Sequence, residues 1–214
     1  MSEYLSKQLE AREEEFKGGL PEEHQILLQS VDYLRESGIA RGLQAGESAP
    51  DFTLTDALGK EIRLSEELAN GPVILTFYRG GWCPFCNLQL RAYQEFLPEF
   101  RELGASLIAV SPQSPDNTLS QQEKERLTFL VASDTEGRVA EQYRVLYEVT
   151  GSLKSLYEKF NLHLPEYNAS SRWFLPVSAT FVVDRSSIIR YAHIDPNFMR
   201  RLEPDTILQV LRDL

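Results

Sequence analysis

Cys83 and Cys86 are the only cysteines in this 214-residue chain, and they stand as C-x-x-C. Two thiols at that spacing can exchange a disulfide. On a helix, residues three apart share one face, with Cβ atoms about 5–6 Å apart, and a disulfide needs Cα atoms about 4.4–6.8 Å apart. The pair can therefore open and close with little backbone movement. Pro84, between them, lacks an N–H and has φ preset for a first helical turn, so a helix is expected to start at Cys83. A helix N-terminus favours the nucleophilic thiolate. Cys86, one turn further in, is expected to be the less exposed sulfur, with its pKa raised by apolar neighbours such as Leu90. Charge points the same way: the chain has 32 acidic residues, yet none between Leu68 and Gln94, where Arg79 and Arg91 stand instead.

The flanking sequence supplies elements to position that pair. Pro72 to Tyr78 is apolar, β-branched and aromatic, as in a buried strand. Gly80-Gly81 permits a tight turn. Leu88, Leu90, Tyr93, Phe96, Leu97 and Phe100 recur at helical spacing, with the helix expected to end near Gly104. Residues 105–110 form the next strand and complete a right-handed βαβ unit. Near such a unit, C-x-x-C reads as a thioredoxin-like redox motif. Further strands are expected over 128–134, 178–184 and 188–192, with a polar helix over 116–127 and a terminal helix from Pro204. Residues 145–172 read as an irregular insertion with a helix at 152–160. Ser65 is a candidate cap for a short helix over 66–69. Ahead of all this, residues 3–17 and 21–38 read as two helices, packed on their own domain or on a partner subunit. The fold class is α/β, a thioredoxin-like fold with an N-terminal helical extension. The division is 1–42 for the extension and 43–214 for the redox domain.

Composition narrows the function. A net charge of −10 and a pI near 4.9 argue against nucleic acid and anionic membrane surfaces as partners. The charged start is not of signal-peptide type, and no apolar run reaches membrane-spanning length. The chain therefore reads as cytoplasmic, where C-x-x-C is more often catalytic than structural. A zinc site would want four ligands, and His24, His163 and His193 are scattered, so no metal or other cofactor is expected. A static disulfide closing so short a loop would constrain the unfolded chain very little.

The chain resembles the peroxiredoxin superfamily, in its alkyl hydroperoxide reductase C / thiol-specific antioxidant branch. The resemblance covers roughly residues 43–214. It rests on Ala49-Pro50-Asp51-Phe52-Thr53-Leu54, the 72–96 block, Ala109-Val110-Ser111, Ser133-Asp134 and Ala179-Thr180-Phe181-Val182-Val183-Asp184. It implies a peroxidatic cysteine at Cys83 that becomes a sulfenic acid, and a disulfide that thioredoxin or another dithiol reductant reduces. Cys86 is the available intrachain resolving thiol. The substrate implied is hydrogen peroxide or an organic hydroperoxide, and a homodimer is allowed. Two positions depart from the family pattern: Gly80 stands where a Thr hydrogen-bonds the peroxide, and Ser178 where an Arg precedes the Ala-Thr-Phe strand. Trp82-Cys83-Pro84-Phe85-Cys86 is closer to thioredoxin. Arg79 is the candidate to replace the lost cation, and Arg79, Gly80, Trp82, Pro84 and Ser178 are the candidate substrate-binding or activating residues. Gly80 implies slow peroxide reduction. Two other functions fit the same dithiol: a protein disulfide oxidoreductase, and a redox-sensing binding module that does not turn over. The N-terminal helices, which carry no cysteine, are expected to serve assembly or stability.

Overall fold

Strand β3 (Val73–Phe77) is buried on both faces along its whole length, apolar but for Thr76, and the fold is built outward from it. The computed structural model describes residues 4–214; Glu3, the first residue of the expected first helix, lies outside them. In chain order the elements are α1 (Tyr4–Gly19), α2 (Pro21–Ser37), β1 (Thr53–Thr55), β2 (Glu61–Arg63), α3 (Leu64–Asn70), β3 (Val73–Phe77), α4 (Pro84–Glu95) and α5 (Leu97–Glu102). They continue with β4 (Ser106–Ser111), α6 (Pro115–Glu125), β5 (Leu130–Ser133), α7 (Arg138–Gln142), β6 (Leu146–Glu148), α8 (Gly151–Lys159), α9 (Leu164–Tyr167), β7 (Phe174–Pro176), β8 (Ser178–Val183), β9 (Ile189–Asp195) and α10 (Pro204–Arg212).

The main sheet has the order β2-β1-β5-β4-β3-β8-β9. Strands β3, β4 and β5 are parallel, whereas β8 runs antiparallel to β3, from Val73 opposite Val183 to Phe77 opposite Ala179. This mixed sheet flanked by helices is the thioredoxin-like fold. Its parallel register ends β3 at Phe77, so the chain leaves the sheet where the Gly80-Gly81 turn begins.

Several local expectations change. The helix expected to run to Gly104 breaks at Phe96, where α4 gives way to α5, because Pro98 has no N–H to donate to Gln94. Ser65 does not cap α3. Arg63 holds the cap position, and the Asp51 carboxylate accepts from the Ser65 amide and hydroxyl at 2.9 and 2.8 Å. The expected insertion over 145–172 holds β6, α8 and α9, and β6 pairs antiparallel with β7, just beyond it, as a separate two-stranded sheet.

Helices α1 and α2 pack on their own chain. α1 buries Leu5 and Leu9 and lies against α4; α2 buries Leu27, Val31 and Leu34 and lies against α8. A tie in the first turn of each helix fixes them. The Glu203 carboxylate accepts from the amides of Leu5 and Ser6, at 3.3 and 2.6 Å, and Lys159 pairs with Glu23 at 2.7 Å.

Candidate active site

Cys83 occupies the N-cap of α4 in extended conformation (φ −89°, ψ 112°), with Pro84 opening the helix. Its carbonyl accepts from the amides of Cys86 and Asn87, both at 3.1 Å, which fixes Cys86 one turn on. Both thiols are free and buried, Cys83 at 1% exposure and Cys86 at 0%, so they differ by direction and not by exposure. Cys83 lines a chamber of about 270 Å³, with Pro84 exposed beside it. Cys86 lies behind, toward the sheet. A larger, more open cleft of about 780 Å³, between residues 38–47 and Arg144, contains no cysteine.

The turn before Cys83 is held by amides. The Gly81 N–H donates to Gln113 Oε1 at 2.9 Å, and Asn87 Nδ2 donates to the Gly81 carbonyl at 2.9 Å. Gln121 ties this frame to Asn87 at 2.7 Å and to the Tyr78 hydroxyl at 2.9 Å. Gly80 has φ +142°, and a Cβ there would stand 2.6 Å from Trp82 Nε1. That position needs glycine for backbone and for space, so a Gly80→Thr substitution strains the turn and cannot cleanly restore a hydroxyl donor.

Each sulfur has its own guanidinium. Arg79, 2% exposed, brings Nη1 to 4.0 Å from Cys83 Sγ and bonds the Tyr157 hydroxyl through Nη2. It is packed among aromatic rings, 3.8 Å from the Phe198 centroid and 4.8 Å from that of Trp82, and its Nε has no partner. Arg201, 6% exposed, brings Nη2 to 3.4 Å from Cys86 Sγ. Oxygens hold it: Nε donates to Gln89 Oε1 at 2.7 Å, and Nη1 donates to the carbonyls of Phe198 and Arg200. Gln89 in turn donates to Thr76, Tyr93 and Thr180. Burial raises the Tyr93 pKa to about 12, so that hydroxyl stays a neutral donor.

This arrangement reverses the expected asymmetry of the thiols. Burial disfavours a Cys86 thiolate, but the hydrogen bond from Cys83, the Arg201 charge, the Arg79 charge and the Arg79 amide outweigh it and bring its pKa down to about 5. Burial pushes the Cys83 thiol up, as do its hydrogen bond to Cys86 and the charge there, against opposing guanidinia. The pair thus holds one negative charge, resting on Cys86 and shared across the S–H···S contact.

Of the residues singled out in the sequence, Arg79, Trp82, Cys83 and Pro84 line the chamber, and Gly80 shapes the approach to it. Ser178 does not join them. It sits buried at the start of β8 opposite Asp195, and its hydroxyl has no hydrogen-bond partner. Arg91 turns outward to Glu125 at 3.4 Å. Sequence reasoning missed Arg201, Gln89, Tyr157 and Phe198. Arg201 follows β9 in an irregular stretch, 115 residues from Cys86, where no local pattern marks it.

Fold and site together define a thioredoxin-like protein with a buried, singly charged dithiol at a helix N-terminus. Residues 45–192 match the AhpC/TSA family model, and the chain belongs to that family. It is 30% identical over 103 residues to peroxiredoxin Bcp of Escherichia coli, covering 48% of this chain and 65% of that protein. It is 24% identical over 181 residues to chloroplastic peroxiredoxin Q of Sedum lineare, covering 85% and 84%. The crystal structure of peroxidoxin BcpB from Mycobacterium tuberculosis superposes with a TM-score of 0.64 at 24% identity, over 80% of this chain and 98% of that one.

Proposed function

We propose that this chain is a thiol-dependent peroxidase in which Cys83 attacks the peroxide and Cys86 resolves the product. The supporting observation is the order of the two sulfurs: Cys83 on the chamber wall, Cys86 behind it with the charge. The proton of Cys83 first passes to Cys86 along their hydrogen bond. The Cys83 thiolate attacks the terminal oxygen of ROOH, the S–O bond forms as the O–O bond breaks, and an alkoxide departs beside Arg79. A proton, available from Cys86, converts the alkoxide to ROH and returns Cys86 to thiolate. Cys86 then attacks the Cys83 sulfenic sulfur; the S–S bond forms as the S–O bond breaks, and the departing hydroxide takes a proton from solvent to become water. A dithiol reductant of the thioredoxin kind restores both thiols by two-electron exchange, entering beside the exposed Pro84. Arg79 stabilises the departing oxygen, and Trp82 and Gly80 shape the approach.

Residues 43–214 act in this reading as the redox domain, with 1–42 built onto it. No described helix is long and apolar enough to cross a membrane. The reading carries cytoplasmic residence, where thioredoxin-type dithiols are kept reduced, and a homodimer, which sedimentation velocity checks. The deciding experiment follows thioredoxin-dependent consumption of peroxide, with mass spectrometry of the Cys83–Cys86 disulfide. A chain that oxidises a protein dithiol faster than it consumes any peroxide would overturn the reading.

A further inference from the structure

The chamber in front of Cys83 is built partly by residues outside the stretch that matches the family model. Phe16 comes from α1 and Leu27 from α2, ahead of residue 45, and Phe198 comes from beyond residue 192. Phe160 and Leu162 close another side, and Phe85 packs edge-on against Phe198 at 5.7 Å between ring centres. Beside Cys83 stands Arg79, with Nη1 4.0 Å from its sulfur and Nε unpartnered; the other polar side chain of the lining is Asn161, between Phe160 and Leu162.

Size and lining together point to a ligand. The space, about 270 Å³, is several times the share of one water, about 30 Å³ in the liquid. Its predominantly apolar walls give a small polar peroxide few partners beyond Arg79 and Asn161. An apolar body entering there leaves water and gains contacts with the lining side chains. Burying roughly 60–100 Å² of apolar surface corresponds to about 10–100-fold in binding.

We propose that the N-terminal helices are part of the substrate site, and that Phe16 and Leu27 select hydroperoxides with a compact apolar body, such as arylalkyl hydroperoxides, over hydrogen peroxide. This rests on the peroxidase reading. The –OOH group lies toward Cys83 and Arg79, and the apolar body lies between α1, α2 and the 160–162 segment.

The test compares kcat/KM for cumene hydroperoxide and for hydrogen peroxide in the unaltered chain, in Phe16→Leu and Leu27→Ala, and in a filling variant, Leu27→Phe. In parallel, binding of 2-phenyl-2-propanol, the alcohol product, is read from Trp82 fluorescence in a Trp173→Phe background. The unaltered chain should favour cumene hydroperoxide by at least tenfold. Each variant should lower that ratio at least threefold and weaken alcohol binding, with circular dichroism confirming the fold. A ratio near one in the unaltered chain, or variants that keep both ratio and alcohol affinity, overturns the proposal. Absence of turnover with either peroxide overturns the peroxidase reading and with it the substrate class; the alcohol titration then decides the chamber separately.

Discussion

Arg79 and Arg201 carry the same charge to sulfurs one helical turn apart, but the protein holds them in opposite ways. Arg79 is packed among the rings of Trp82, Tyr157 and Phe198 and keeps one N–H unpartnered. Arg201 is locked by Gln89 and two backbone carbonyls. A cation packed on rings with a donor to spare can meet an incoming oxygen. A cation whose donors are committed can only hold a charge in place. The difference assigns the first to the reacting sulfur and the second to the waiting one.

The sharpest way to break this comparison is to remove the sulfurs one at a time. Cys83→Ser should cut peroxide-driven turnover by about 10³-fold or more. Cys86→Ser should still be attacked once, then accumulate sulfenic acid and over-oxidise, as single-turnover mass spectrometry would show. A first adduct on Cys86 in the unaltered chain would reverse the assignment. Next in size, Arg79→Gln should slow the attack step by roughly 10²-fold through lost stabilisation of the leaving oxygen. Stopped-flow oxidation at saturating pH measures this.

Arg201→Gln should act on pH. In the unaltered chain the first-turnover rate should be flat near neutrality and fall as pH drops through about 5, where Cys86 takes up its proton and the pair loses its charge. Removing the nearer cation disfavours the thiolate, so the midpoint should move upward, by about 1–3 units. Arg201→Lys should recover part of the shift. A midpoint unmoved by Arg201→Gln but moved by Arg79→Gln would exchange the two roles. The smallest effect is expected from Glu203→Gln, which weakens the cap on α1 and should cost about 0.5–2 kcal/mol, a fall in Tm of a few degrees by calorimetry.

The thiol pair, the strand before it and the βαβ unit were legible because each depends on neighbours in sequence: alternation of residue type, a glycine turn, a proline at a helix start. Asp51 and Arg201 were not. Asp51 caps a helix 14 residues away, and Arg201 reaches Cys86 from beyond β9, so both act through contacts that only the closed sheet creates. The thiol asymmetry was misjudged for the same reason. Helix position and burial can be estimated locally, but burial at Cys86 is offset by the Cys83 hydrogen bond together with the Arg201 and Arg79 charges, and Arg201 arrives from another part of the chain. The N-terminal helices were recognised as helices, while their part in the chamber wall depended on where α4 and α8 receive them.

The Glu203 tie between the last irregular stretch and the first turn of α1 has a bearing on folding order. Glu203, Arg201 and Phe198 follow every other part of the site in sequence, and α1 precedes them all. Until residues 198–203 leave the ribosome, α1 lacks its carboxylate anchor and Cys86 lacks its nearer cation. The dithiol can therefore be assembled on α4 before it is shielded or fully charged. Contacts of such long sequence separation form late and slowly. The shielding and the charge balance of the dithiol thus both wait on contacts that bring residues 198–203 back across the fold to α1 and α4.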